Sequence, residues 1–273
     1  MLSAPFFAIS LFLFWLGTVI GSFLNVMIYR TISEDTQGWA KGRSRCDHCF
    51  HPIAWYDLVP LFSYFWLGGK CRYCHKPIAM SHPVIEFLTG SLFVWWYWGG
   101  TFFFRLTQQP FSYIQPLFWL TVGVLLLVVL LADLRYMIIP DTTVAMLFGL
   151  TLLYRIALLL NGVMQPRDFF LSIFAGVVCC VLFFSLWFIT RGNGMGFGDV
   201  KFALPFGMLL GWPNAFVGVF LSFVIGGIVS LFLLLFRRKH LKQAIPFGPF
   251  LVLATVITLV YGDALWHWYS ALI

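Results

Sequence analysis

About eight apolar runs, most near twenty residues long, follow one another along this chain, and a helix needs about 20 such residues to cross a bilayer. They are Phe6 to Ile28, Val84 to Trp98, Ile114 to Leu134, Thr142 to Leu160, Phe169 to Thr190, a shorter stretch from Val200 to Trp212, Phe216 to Phe236, and Pro249 to Tyr269. Charge is correspondingly scarce. Only 10% of residues are Asp, Glu, Lys or Arg, against about 25% in a soluble domain. With 61% of residues hydrophobic, most of the surface must face lipid. The expected fold is all-α, a polytopic membrane helix bundle of about eight transmembrane helices. The lipid bilayer is the main partner, and no nucleic-acid partner is expected.

The first run has no basic segment before it and no small-residue cleavage site after it. It reads as a retained span, not a signal peptide. Gly17 and Gly21 within it have the spacing that lets two helices approach closely. Two small residues in a long span also need no partner, so both readings stand. Residues 29–83 form the one long polar segment and hold Lys41, Arg43, Arg45, Lys70, Arg72 and Lys76. With this loop set in the cytoplasm and sides alternating at each span, Asp133, Asp199 and the Arg237–Lys242 cluster all emerge on the cytoplasmic face. Only Arg105 and Arg167 fall outside. One assignment thus meets the positive-inside rule. No internal repeat is evident.

Cys46-Asp47-His48-Cys49 and Cys71-Arg72-Tyr73-Cys74 are separated by 21 residues, just beyond the common zinc-ribbon spacing of about 15–20. Two such turns place four thiolates around one metal and complete a tetrahedron. A closed set of four thiolates makes the zinc structural, and binding would supply much of the folding energy of a loop poor in apolar residues. The alternatives are two unrelated pairs or redox disulfides, and a cytoplasmic loop disfavours stable disulfides. His48, His51 and His75 lie close enough to replace a thiolate. Cys179 and Cys180, inside an apolar run, read as packing residues.

Two acids stand at the ends of apolar runs: Asp133 in Ala132-Asp133-Leu134-Arg135, and Asp199 in Gly194-Met195-Gly196-Phe197-Gly198-Asp199-Val200-Lys201. An ionisable group beside a span is costly and has a job or a partner. Taken singly, Asp133 pairs with Arg135 and Asp199 with Lys201. Taken together, the acids share one membrane depth, and three glycines beside Asp199 leave room for another backbone. Two adjacent carboxylates share a proton, so one acts as base on a water and the other as acid toward a scissile carbonyl. Asp141, after Pro140, reads as a helix cap in preference to a catalytic group.

These motifs together resemble the bacterial type IV prepilin peptidases, or leader peptidase/N-methyltransferases, aspartic proteases of the GxGD class. The resemblance runs over nearly the whole chain: Gly21-Ser22-Phe23-Leu24-Asn25-Val26, Gly42-Arg43-Ser44-Arg45-Cys46, Trp55-Tyr56-Asp57-Leu58-Val59-Pro60, Gly69-Lys70-Cys71-Arg72-Tyr73-Cys74, Ile139-Pro140-Asp141, and Pro246-Phe247-Gly248-Pro249-Phe250. It implies that Asp133 and Asp199 are the catalytic aspartates. The implied activity is cleavage of the basic leader of prepilins or pseudopilins after a glycine, at the cytoplasmic side of the bacterial inner membrane. N-methylation of the new amine with S-adenosylmethionine would follow. Methylation is implied by the resemblance alone; no glycine-rich nucleotide pattern marks a donor site, and its residues are unassigned. The implied organisation is a first transmembrane helix over 1–28, a four-cysteine zinc loop with the methyltransferase-associated region over 29–83, and a transmembrane aspartic peptidase domain over 84–273. Asp47 stands where the family often has proline, His75 where it often has glycine, and the segment between Arg30 and Arg43 reads differently.

Three rival functions are weaker. A GxGD peptidase without methyltransferase activity conflicts with the intact cysteine loop. A proton-coupled transporter wants acids near the midplane in related halves. A zinc-stabilised scaffold leaves the paired acids unexplained.

Overall fold

The computed structural model describes residues 4–32, 43–100, 104–236 and 245–271. Lys41 and the Arg237–Lys242 cluster, on which part of the topology rests, lie outside the described residues. Among those described the fold is all-α, with no named strand. It divides into two compact units, Met1–Val124 and Leu125–Ile273.

The first unit contains α1 (Ala4–Ile32), a 3-10 turn at Trp55–Leu58, α2 (Phe62–Trp66) and α3 (Ser81–Trp98). The first half of α4 (Phe111–Tyr136) belongs to it, and the second half passes into the next unit. Small residues let α1 and α3 touch backbone to backbone. A Cβ on Gly17 would come within 2.8 Å of Gly90 Cα, and one on Gly21 within 2.7 Å of Thr89 Oγ1. The two glycines of the first span therefore are a packing seam, the device that replaces a hydrophobic driving force between helices in lipid.

The second unit holds the rest of α4 with α5 (Asp141–Leu160), α6 (Pro166–Ile189), α7 (Phe197–Leu210), α8 (Asn214–Leu235) and α9 (Gly248–Ser270). Its organising element is α7, which packs against α5, α6, α8 and α9. Phe202, Ala203 and Phe206 of α7 are wholly enclosed. A helix apolar all round has to be buried on every side. It meets α6 backbone to backbone, where a Cβ on Gly207 would fall 2.6 Å from the Ala175 carbonyl oxygen.

Among the described residues, six helices are long and apolar enough to cross a membrane: α1, α4, α5, α6, α8 and α9. The chain is a multi-pass membrane protein. Two of the runs expected to span are not among the six. The α7 helix has 14 residues, about 21 Å at 1.5 Å per residue, against a hydrocarbon layer of about 30 Å. The other is α3, which carries His82 and Glu86 within its 18 residues.

Candidate functional site

Asp133 lies in the last turn of α4 and is 5% exposed; Asp199 is the third residue of α7 and is 6% exposed. Local sequence explains both positions. The α4 helix stops as the chain turns through Met137, which has positive φ, and then runs extended to Pro140. The α7 helix starts after Gly196, whose extended backbone serves as N-cap. The two approaches pack together: a Cβ on Gly198 would meet the Ile139 side chain at 3.2 Å. The link leaving Asp133 thus runs against the turn that carries Asp199.

The carboxylates have distinct surroundings. Asp133 Oδ2 accepts the backbone N–H of Gly248 at 2.8 Å, in a buried hydrogen bond. Gly248 is the first residue of α9, so the donor belongs to a helix N-terminus, where N–H groups lack intrahelical partners and favour a negative charge. Only glycine fits there, because a Cβ would fall 2.7 Å from Oδ2. The Asp199 carboxyl is pushed up to about 7, first by burial and next by the negative charge of Asp133, with a hydrogen bond from the Gly196 backbone opposing. The negative charge of Asp133 is felt at Asp199 and, together with burial, makes Asp199 hold its proton more tightly than a free carboxyl does.

Two sequence expectations for neighbouring residues are corrected. Lys201 does not neutralise Asp199: its Nζ donates to both carboxylate oxygens of Asp141, at 2.7 and 2.9 Å. Asp141 is not a cap either. Pro140 occupies the N-cap position without a side-chain bond, and Asp141 is the first helical residue. Its charge suits the positive end of α5, and its pairing with Lys201 joins the start of α5 to the second turn of α7.

In the first unit, Cys46, Cys49, Cys71 and Cys74 come together with all four Sγ atoms within 4.8 Å of one another. Cys46 Sγ and Cys74 Sγ are 3.8 Å apart. A tetrahedron of bonds near 2.3 Å has edges of about 3.8 Å, so the set fits a four-coordinate zinc. Each pair sits in the same knuckle. The Cys46 N–H donates to His51 O and the Phe50 N–H to Cys46 O; the Cys71 N–H donates to Lys76 O and the His75 N–H to Cys71 O. Isolated bridges Arg45 to Pro52 and Lys70 to Pro77 close the two. The loop is therefore a local duplication that sequence reasoning missed, although Cys-x-x-Cys-x-x-Pro at both places signals it. Phe50 and His75 take equivalent positions at φ 55° and 58°. That left-handed backbone explains why glycine suits position 75. His51 stacks on Tyr73 with centroids 3.7 Å apart and is engaged outside the metal set.

Residues 15–99 match the bacterial peptidase A24 N-terminal domain, and residues 120–231 match the type IV leader peptidase family. A prepilin leader peptidase/N-methyltransferase of Aeromonas hydrophila is 34% identical, over 94% of this chain and 92% of the relative. Proteins of the same name from Legionella pneumophila and Pseudomonas aeruginosa are each 30% identical, over 92% and 93% of this chain and 90% and 91% of the relatives. No solved structure matches the chain.

Proposed function

Because the chain belongs to the type IV leader peptidase family, we infer that it removes the leader of prepilins or pseudopilins after a glycine. It then methylates the exposed amine with S-adenosylmethionine. The observation that carries the peptidase reading is the pair of buried aspartates whose charges interact at the meeting of α4 and α7. Asp133, held by the Gly248 N–H, is the base. It takes a proton from water as the water oxygen attacks the scissile carbonyl carbon. Asp199, which keeps its proton to about pH 7, protonates the carbonyl oxygen. Collapse of the resulting diol returns a proton to Asp199, and the proton on Asp133 passes to the departing amine. Both carboxyls are restored and no acyl-enzyme forms. When bound, S-adenosylmethionine would supply an electrophilic methyl to the neutral amine and leave as a thioether, and the methylated amine would give its surplus proton to water.

The four cysteines hold a structural zinc in this reading. With four thiolates bound, the ion offers no open position, so it folds the loop and takes no part in either reaction. The stretches Val84–Trp98 and Val200–Trp212 complete eight membrane segments. The enzyme resides in the bacterial inner membrane with its active site on the cytoplasmic side. Its regions are 1–28, 29–83 and 84–273: first span, zinc and methylation loop, and peptidase domain. The test is incubation of purified enzyme with a prepilin and S-adenosylmethionine, with products weighed by mass spectrometry. Loss of the leader and gain of one methyl are expected, and Asp133→Asn or Asp199→Asn should stop the first. Full cleavage by either variant would exclude the dyad.

A further inference from the structure

Asp133 and Asp199 account for hydrolysis but leave the methyl donor without a site. The first unit contains a cavity of about 390 Å³ between the cysteine knuckles and the adjoining parts of α1 and α3, lined among others by Ser22, Asp57, Tyr64, Arg72, His82 and Glu86. Small-molecule sites begin at about 300 Å³. Glu86 is 8% exposed. Its Oε2 accepts the Leu61 N–H at 2.7 Å, and Ser22 hydrogen-bonds to the same carboxyl. Both donors are neutral, and among the described residues no cation pairs with Glu86. A buried carboxylate without a counter-charge is expensive.

The surroundings hold that carboxylate in place. Leu61 donates from a backbone with φ 60°, a left-handed conformation costly for a leucine, and such strain collects at functional sites. The Gly21 approach to Glu86 Cα brings α1 against α3 at this level. His82, one turn before Glu86, hydrogen-bonds to Asn25 of α1. On another wall Arg72 grips Asp57 with both Nε and Nη2, at 2.6 to 3.1 Å, and the Asp57 side chain is 5% exposed. The cavity thus offers an acid with no counter-charge, the Arg72–Asp57 ion pair and the side chain of Tyr64.

We propose that this cavity binds S-adenosylmethionine, with Glu86 as the counter-charge to the donor's sulfonium. The match is chemical. The donor carries a sulfonium and an ammonium for an acid that lacks a counter-charge, and its carboxylate and base have polar partners on the lining in the Arg72–Asp57 pair and Tyr64. The proposal rests on the methyltransferase reading above and gives it a location.

Equilibrium dialysis of the purified full chain against labelled S-adenosylmethionine and, separately, S-adenosylhomocysteine tests it without turnover. The second ligand has a neutral sulfur and otherwise the same recognition groups. The wild type should bind both and prefer the sulfonium form. Glu86→Gln should weaken the sulfonium ligand at least tenfold and the neutral one far less. Ala79→Trp, which fills the cavity from its lining, should weaken both at least tenfold, and its thermal unfolding checks the fold independently of Glu86. Wild-type affinity for both ligands in Ala79→Trp would overturn the location. An equal loss of both ligands in Glu86→Gln would overturn the role of its charge. If the wild type methylates a cleaved pilin while labelled donor crosslinks outside this cavity, the inference fails and the methyltransferase reading stands. If the wild type neither binds donor nor methylates, both fail.

Discussion

Gly248→Ala tests whether the α9 N-terminus sets the position of Asp133. The new Cβ would stand 2.7 Å from Oδ2, 3.1 Å from Cγ and 3.3 Å from Cβ of Asp133. A carbon and an oxygen rest at about 3.3 Å or more, so the carboxylate or the helix start must retreat by about 0.6 Å (3.3 minus 2.7). The same movement draws the 2.8 Å hydrogen bond toward about 3.4 Å, past the usual limit near 3.2 Å. A hydrogen bond to a charged group contributes about 1.5–3 kcal/mol, which is roughly ten- to 150-fold in rate if it is lost where the charge does its work. Displacement of a reacting group acts in the same direction. We expect single-turnover leader cleavage to slow by about one to two powers of ten. Gly227→Ala is the control, since a Cβ there meets nothing within 4 Å. Cleavage by Gly248→Ala within twofold of the wild type, with Gly227→Ala also unimpaired, would refute the role given to the Gly248 N–H.

The Asp199 carboxyl is raised to about 7, so it holds its proton below that pH and loses it above. Cleavage should therefore decline as pH rises beyond about 7, approaching tenfold per unit, and a rate that does not change between about pH 6 and 9 would contradict the assignment of Asp199 as the acid. Replacing Cys71 and Cys74 by Ser should reduce zinc from about one per chain to near none and lower the unfolding temperature of the loop, as metal analysis and calorimetry would report; a wild type that purifies without zinc would sink the metal reading. Gly21→Val drives its side chain into Thr89 Oγ1, 2.7 Å from the ideal Cβ, and should destabilise the α1–α3 seam by about 1–3 kcal/mol, seen as a lower melting temperature in detergent.

What is legible in the sequence follows from scarcity. In a chain so poor in charge, an acid at the end of an apolar run stands out, and so do paired cysteines in the only long polar loop. Asp133, Asp199 and the four cysteines are legible for that reason, and the structure brings the cysteines into one cluster and the acids within electrostatic reach. The Gly17 and Gly21 spacing is legible too, but not its partner, because a seam motif says nothing of which helix supplies Thr89 and Gly90. Counting spans from apolar runs overshoots helix length at α7, since a helix buried among its neighbours has the same composition as one facing lipid.

Partnerships across long separations are out of the sequence's reach. Lys201 stands two residues from Asp199 and reads as its neighbour in charge. On a helix, however, residues two apart do not face each other. Facing away from Asp199, Lys201 meets Asp141, 60 residues earlier in the chain. This frees Asp199 of a counter-charge and leaves burial, Asp133 and the Gly196 backbone to set its proton affinity. Had Lys201 paired with Asp199 as the local sequence suggests, its positive charge would oppose the rise that burial and Asp133 impose on the Asp199 carboxyl. The glycine at 248 completes the asymmetry: its N–H serves Asp133 and its missing Cβ admits that carboxylate. The Pro246–Phe250 motif is therefore tied to Asp133 through a backbone donor, a role with no side chain for a sequence to display.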